Sequence, residues 1–142
     1  MGQKVNPIGL RVGISKTWNS KWYAGKDYPE QLKQDLSIQK FVKKRLKHAA
    51  ISHIEVERTA KKTKVNIFTA RPGIIIGRKG DEVERLKHEL NKLTRHEVIV
   101  NIKEIKRPEI EATLVAENIA NQLERRIAYR RAIRRAMTSA MR

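Results

Sequence analysis

Apolar positions change their spacing several times along the chain, and each change predicts an element. Residues 1–28 hold no sustained period and carry Gly2, Asn6, Pro7, Gly9, Gly13 and Gly25, which predicts an extended arm with turns. From Pro29 to Ala50, Ile38, Phe41, Val42, Leu46 and Ala49 recur three and four apart, the period of a helix with one buried face. Ile51 to Arg58 alternates, with Ile54 and Val56 on one side. Lys64 to Ala70 alternates again, with Val65 and Ile67 opposite Phe68. The basic stretch Thr59–Thr63 between them suits the turn of a hairpin.

Arg71-Pro72-Gly73 ends the second strand, and Pro72 suits a helix start because its missing N–H has no partner there anyway. Ile74, Ile75 and Ile76 make a short buried turn that stops at Gly77. Asp81 as N-cap, with Glu84 three residues on, starts another helix with the stripe Val83, Leu86, Leu90 and Leu93. Glu97 to Ile105 is a third strand, with Val98, Val100 and Ile102 on one face. Pro108 then opens a long helix whose stripe is Ala112, Val115, Ala116, Ile119 and Leu123, with Glu109 and Glu111 in its first turn. The expected organisation is an arm over 1–28, one α+β domain over 29–106 and helices over 107–142.

Composition narrows the partner. The chain has 142 residues, 32 Lys and Arg against 15 Asp and Glu, and a formal net charge of +17. It has no cysteine, which excludes disulfides, cysteine zinc sites and thiol nucleophiles. No apolar run approaches the ~20 residues of a membrane-spanning helix. The opening Met1-Gly2-Gln3-Lys4-Val5 lacks the apolar region of a secretory signal, so the chain reads as cytosolic. Residues 1–26 hold five bases and no acid, and residues 125–142 hold seven arginines and no acid, so the two ends carry twelve of the seventeen net charges. A nearly balanced domain with two basic appendages points to nucleic acid.

Ile76-Gly77-Arg78-Lys79-Gly80 carries the chemistry. Gly77 and Gly80 let the backbone approach a sugar-phosphate chain, Arg78 and Lys79 add positive charge, and the following helix offers free N–H groups. Two glycines three apart also describe an ordinary helix C-cap followed by a surface turn. The context decides: the loop sits within a strand–helix–loop–helix–strand unit preceded by a helix and a strand. That α-β-β-α-α-β order, with a three-stranded sheet and helices on one face, is the type II KH arrangement, whose GXXG loop clamps single-stranded nucleic acid. A Walker A loop fails, because Gly77 is followed by Arg78-Lys79-Gly80, and a dinucleotide fingerprint fails at Ile75. His48, His53, His88 and His96 have no metal-ligand spacing, and no catalytic constellation, cofactor site, metal site or small-molecule site stands out.

On a helical wheel Arg130, Arg131, Arg134 and Arg135 fall within an arc of about 140° at ~100° per residue. Tyr129, Ala132, Ile133, Ala136 and Ala140 take the other side. One face can then pack on the domain while the other offers guanidinium groups to RNA. An apolar side of mostly alanine is too slight to anchor in lipid. In the acid-free arm, Lys4, Arg11, Lys16 and Lys21 supply charge, while Trp18 and Trp22 either stack on bases or fasten the arm to the domain.

Met1-Gly2-Gln3-Lys4-Val5-Asn6-Pro7, Gly9-Leu10-Arg11 and Trp18-Asn19-Ser20-Lys21-Trp22 resemble the start of the bacterial-type small-subunit ribosomal protein three family. Glu57-Arg58, Thr69–Gly77, Gln122–Arg126 and Arg130-Arg131-Ala132 extend the resemblance over essentially the whole chain. The resemblance implies a cytoplasmic structural protein of the small-subunit head that binds rRNA. It also implies contact with mRNA where mRNA enters, with Arg130, Arg131 and Arg134 gripping and helping to unwind it. Proteins ten and fourteen of the head and proteins four and five of the channel are the implied neighbours. The family continues into a second α/β domain that is absent from this chain. Two other readings are a free-standing KH regulator of mRNA, against which the long acid-free arm argues, and a nucleic-acid enzyme, against which the lack of a metal or nucleophile cluster argues.

Overall fold

The computed structural model describes residues 2–59, 62–77, 80–94 and 96–142. Strands β2 (Ile51–Arg58) and β3 (Lys62–Thr69) form an antiparallel hairpin in which Ile54 faces Ile67 and Val56 faces Val65. Strand β4 (Glu97–Glu104) runs parallel to β3, pairing Val65 with Val100 and Ile67 with Ile102. A parallel neighbour needs a crossover of a dozen or more residues. Helices α3 (Pro72–Ile76) and α4 (Asp81–Thr94) supply it.

The inward residues of the alternating strands meet α3, α4 and α2 (Tyr28–Arg45). Ile38, Val42, Ala49, Ile54, Val65, Ile67, Ile75, Leu86, Leu90 and Val98 are the buried centre of this layer, as the periodicity predicts. The helix expected to reach Ala50 instead stops at Arg45. A 3-10 turn over Lys47–Ala49 follows, and Ala50 takes a left-handed conformation that swings the chain into β2. The α2-β2-β3-α3-α4-β4 sequence is the α-β-β-α-α-β order expected, and the fold is α+β.

Further expectations need correction, among them the buried Ile74-Ile75-Ile76 turn, in which only Ile75 is buried while Ile74 and Ile76 are exposed. The sheet has four strands rather than three, because arm residues Ser20–Lys21 form β1, pairing parallel to Val56 and Glu57 at the edge of β2. The arm also contains a one-turn helix, α1 (Pro7–Arg11), whose first N–H groups bond to the Asn6 side chain. Asp81 is the first residue of α4 rather than its cap. Pro108 opens a turn, not a helix: the Ile110 and Glu111 N–H groups bond to the carbonyls of Arg107 and Pro108, and Glu111 then extends.

Helix α5 (Ala112–Glu124) therefore begins four residues later than expected, and Glu111 is its N-cap residue. The Glu111 carboxylate is used elsewhere, accepting from the Ser52 hydroxyl at 2.8 Å. The buried face of α5 is also rotated from the expected stripe: Leu114 is buried, while Leu123 is 45% exposed.

The bulge between Ile51 and His53 brings Ser52 and His53 together beside the start of α5, where Ser52 meets Glu111. His53 stacks on Phe68 with centroids 4.1 Å apart and bonds to Ser52 through Nδ1. Burial lowers its pKa, Glu55 and Glu111 oppose that, and Lys16 and Lys21 add to it. The unfolded chain then holds the proton more tightly near pH 6.5, so His53 favours the fold above that pH. Its contribution should be lost as pH falls below 6.5 toward the lower folded value. Unfolding measured from pH 8 to 5 should show this extra acid loss in the wild type and not in His53→Gln.

Candidate nucleic-acid interface

Gly77 leaves α3 at φ 69°, ψ −170°, a region essentially closed to other residues. A Cβ placed on it would lie 2.8 Å from Cγ and 3.0 Å from Cβ of Glu82 in the first turn of α4. The two helices therefore approach at a point only glycine can occupy. Gly80 also has a positive φ, of 87°, but open space around its Cα. Arg78 and Lys79, the cations of the expected loop, lie outside the described residues. Asp81, Glu82 and Glu84 in the first turn of α4 offset part of the dipole that would attract phosphate.

Gly77→Ala should cost about 2–3 kcal/mol in urea unfolding, from backbone strain and the Glu82 clash together. Gly73→Ala is the matched control. Gly73 lies inside α3, and a Cβ added to it would have no neighbour within 4 Å, so alanine there should gain a few tenths to about 1 kcal/mol.

The second basic element is better defined. Helix α5 ends in a Schellman turn: Ile127 N–H bonds to the Gln122 carbonyl and Arg126 N–H to that of Leu123. Arg126 takes the left-handed position, φ 61°, where glycine is usual. The turn folds α6 (Tyr129–Ala140) back on α5, with Ala132 wholly buried and Ala136 half-buried. Small side chains let the two helices approach. Contrary to the expected packing face, Tyr129 and Ile133 stay 57% and 44% exposed.

Arg130, Arg131, Arg134 and Arg135 line one open groove of about 630 Å³, together with Ala128, Thr138, Ser139 and Arg142. The Arg130 guanidinium lies over the Tyr129 ring and donates to its hydroxyl at 3.1 Å. Among the described residues, none of the ion pairs involves an arginine of α6. Fixed positive charge without an internal counter-ion is what a polyanion site requires.

The arm divides. Lys4, Arg11, Lys16 and Trp18 are exposed, Trp18 at 67%, and Tyr23 beside them is 96% exposed. Lys21 and Trp22 turn inward: Lys21 Nζ lies 2.9 Å from Glu55, and Trp22 Nε1–H donates to Asp35 at 2.6 Å. Of the two roles open to the tryptophans, Trp22 takes fastening, while Trp18 keeps its ring in solvent.

A family model described as the KH domain matches residues 37–110, from the second half of α2 to the Pro108 turn. The small ribosomal subunit protein uS3 of Geobacter sp. (strain M21) is 62% identical over 141 residues, covering 99% of this chain and 67% of that protein. Those of Geotalea uraniireducens and Syntrophus aciditrophicus are 62% and 60% identical over the same length. The chain belongs to the uS3 family. It spans about two thirds of the length of these relatives.

For a uS3-family chain, the fold is that of a type II KH domain to which the arm adds an edge strand. Several residues at the interface were not singled out from the sequence. Thr138 and Ser139 continue the arginine spacing by one more interval of four and are legible in that register, while Arg142 joins them from just past the helix end. Asp35, fully buried beneath Trp22, lies three residues before Ile38 in the apolar stripe, and that position was its only signal. Tyr23 had none.

Proposed function

We propose that this protein is a non-catalytic structural component of the small ribosomal subunit, acting in the cytoplasm. It binds rRNA through the exposed part of the arm, with Lys4, Arg11, Lys16 and Trp18 toward the RNA and Lys21 and Trp22 holding the arm down. It contacts mRNA along α6, where Arg130, Arg131, Arg134 and Arg135 grip an incoming strand and resist the return of its base pairs. The Gly77–Gly80 loop is a third RNA contact. The observation that carries the reading is the α6 groove: four arginines on one helix face, free of internal acids, on a hairpin packed against the domain. In this reading residues 1–28 are the arm, 29–106 the KH domain and 107–142 the mRNA-facing helices. Head proteins ten and fourteen and channel proteins four and five are its neighbours.

Arginine suits the task because its planar fork contacts phosphate oxygens in pairs and stays charged at any cellular pH. Such contacts hold the backbone without reading bases, as a protein must that handles every message. The test is fractionation. Tagged protein should co-sediment with small subunits after a moderate-salt wash, and recovery only in free fractions would overturn the ribosomal assignment.

A further inference from the structure

We infer that the α6 groove distinguishes RNA from DNA, with Thr138 and Ser139 contacting ribose 2′-hydroxyls between arginine-held phosphates. The inference rests on the RNA-binding role proposed for the same groove and names what that groove selects.

The groove residues form two rows along α6. Arg130, Arg134 and Thr138 follow one another at intervals of four, Arg131, Arg135 and Ser139 run beside them, and Arg142 lies just past the helix end. Four residues of α-helix rise about 6 Å. That interval is close to the separation of neighbouring phosphates along one extended strand, so each turn meets one nucleotide. In both rows a hydroxyl follows two arginines, and Arg142 comes after them beyond the end of α6. A strand lying along the rows therefore presents charge to the arginine turns and a sugar to the hydroxyl turn.

Thr138 decides between a phosphate contact and a sugar contact. Its hydroxyl proton is already committed, donating to the Arg134 carbonyl at 2.9 Å. What remains toward the groove is acceptor lone pairs. A phosphate diester offers no hydrogen and would be repelled. A 2′-hydroxyl offers a donor, and it is the group by which proteins tell RNA from DNA. Ser139, exposed beside it, can donate or accept and can complete the contact. With DNA the Thr138 acceptor would be covered and left without a donor.

The test compares ten-nucleotide uridine strands in three forms, all-ribose, 2′-deoxy and 2′-O-methyl, bound by the full chain. The methyl form keeps an oxygen but has no hydrogen to donate. The wild type should favour ribose over both others by about three- to tenfold, the worth of one or two net hydrogen bonds. Thr138→Val with Ser139→Ala keeps the shape of the threonine, and helicity by circular dichroism checks that α6 is intact. This variant should lose most of that preference by weakening ribose binding alone, while Thr138→Ser with Ser139→Thr should retain it. An unchanged ribose-to-deoxy ratio in the Val/Ala variant overturns the hydroxyl assignment and leaves the arginine contacts standing. If Arg130→Ala with Arg131→Ala and Arg134→Ala binds all three strands as well as wild type, both assignments fall.

Discussion

Replacing Arg130, Arg131 and Arg134 together by alanine should flatten the salt dependence of single-stranded RNA binding without unfolding the protein. Each phosphate contact on a single strand contributes roughly 0.7 to the slope of log affinity against log salt. Losing three contacts flattens the slope by about 2. Between 50 and 200 mM salt, the wild type should therefore lose about 20-fold more affinity than the variant. The fold should survive because all three side chains are exposed, and alanine is the strongest helix former. Helix docking rests on Ala132, which is untouched. Equal slopes for the two proteins would remove RNA from this face of α6. Arg126→Gly is a useful companion, since it relieves the left-handed strain of the turn while removing one more charge.

The two basic elements contribute differently to such a measurement. The α6 arginines have no internal counter-ion among the described residues, whereas the arm has already used Lys21 on Glu55. Charge counted in the sequence thus overstates what the arm can offer to RNA and describes α6 more closely. The three acids at the start of α4 make the same point for the Gly77–Gly80 loop.

How far the sequence could be read follows from how local each signal is. The strands of the domain were legible because alternation over eight residues is set by the chain itself: Ile54, Val56, Val65 and Ile67 all turn inward as spaced. The arginine face of α6 was legible for the same reason, as intervals of one and four fix a helix face. Gly77 was legible as a loop residue, but its contact with Glu82 was not, because that depends on how α3 meets α4. Strand β1 is only two residues long, too short for any period, and exists because β2 offers an unpaired edge. Pro108 misled because proline suits both the first turn of a helix and the second position of a tight turn. The Ser52–Glu111 bond belongs to the turn reading, and no pattern within residues 108–124 announces it. Asp35 was hidden because polar residues within an apolar stripe usually face outward, and only Arg58 and Trp22, remote in sequence, let it face in.

Arg58→Met should be among the most damaging single changes in the chain, costing about 3–5 kcal/mol in urea unfolding. Asp35 and Arg58 form an ion pair whose side chains are 0% and 9% exposed. Two guanidinium nitrogens donate to Asp35 Oδ1, and a third donates to Gln34 at 3.1 Å. Trp22 of the arm donates to the other carboxylate oxygen. Methionine can fill the space of the arginine stem but leaves a buried carboxylate with one neutral donor. Changing Asp35→Leu as well removes the stranded charge, and the double variant should regain most of the loss, since apolar replacements of buried pairs are often neutral or better. The arm should not share in that recovery. Trp22 keeps its Asp35 acceptor in the single variant but loses it in the double one, leaving Lys21–Glu55 and the short β1 pairing to hold residues 19–22. Hydrogen exchange at Ser20–Trp22 should therefore be fast in the double variant although its overall stability is restored. A double variant as unstable as the single would mean that the pair itself, not the uncompensated charge, supplies the stability. Slow exchange in the double variant would mean that the arm is held without Asp35.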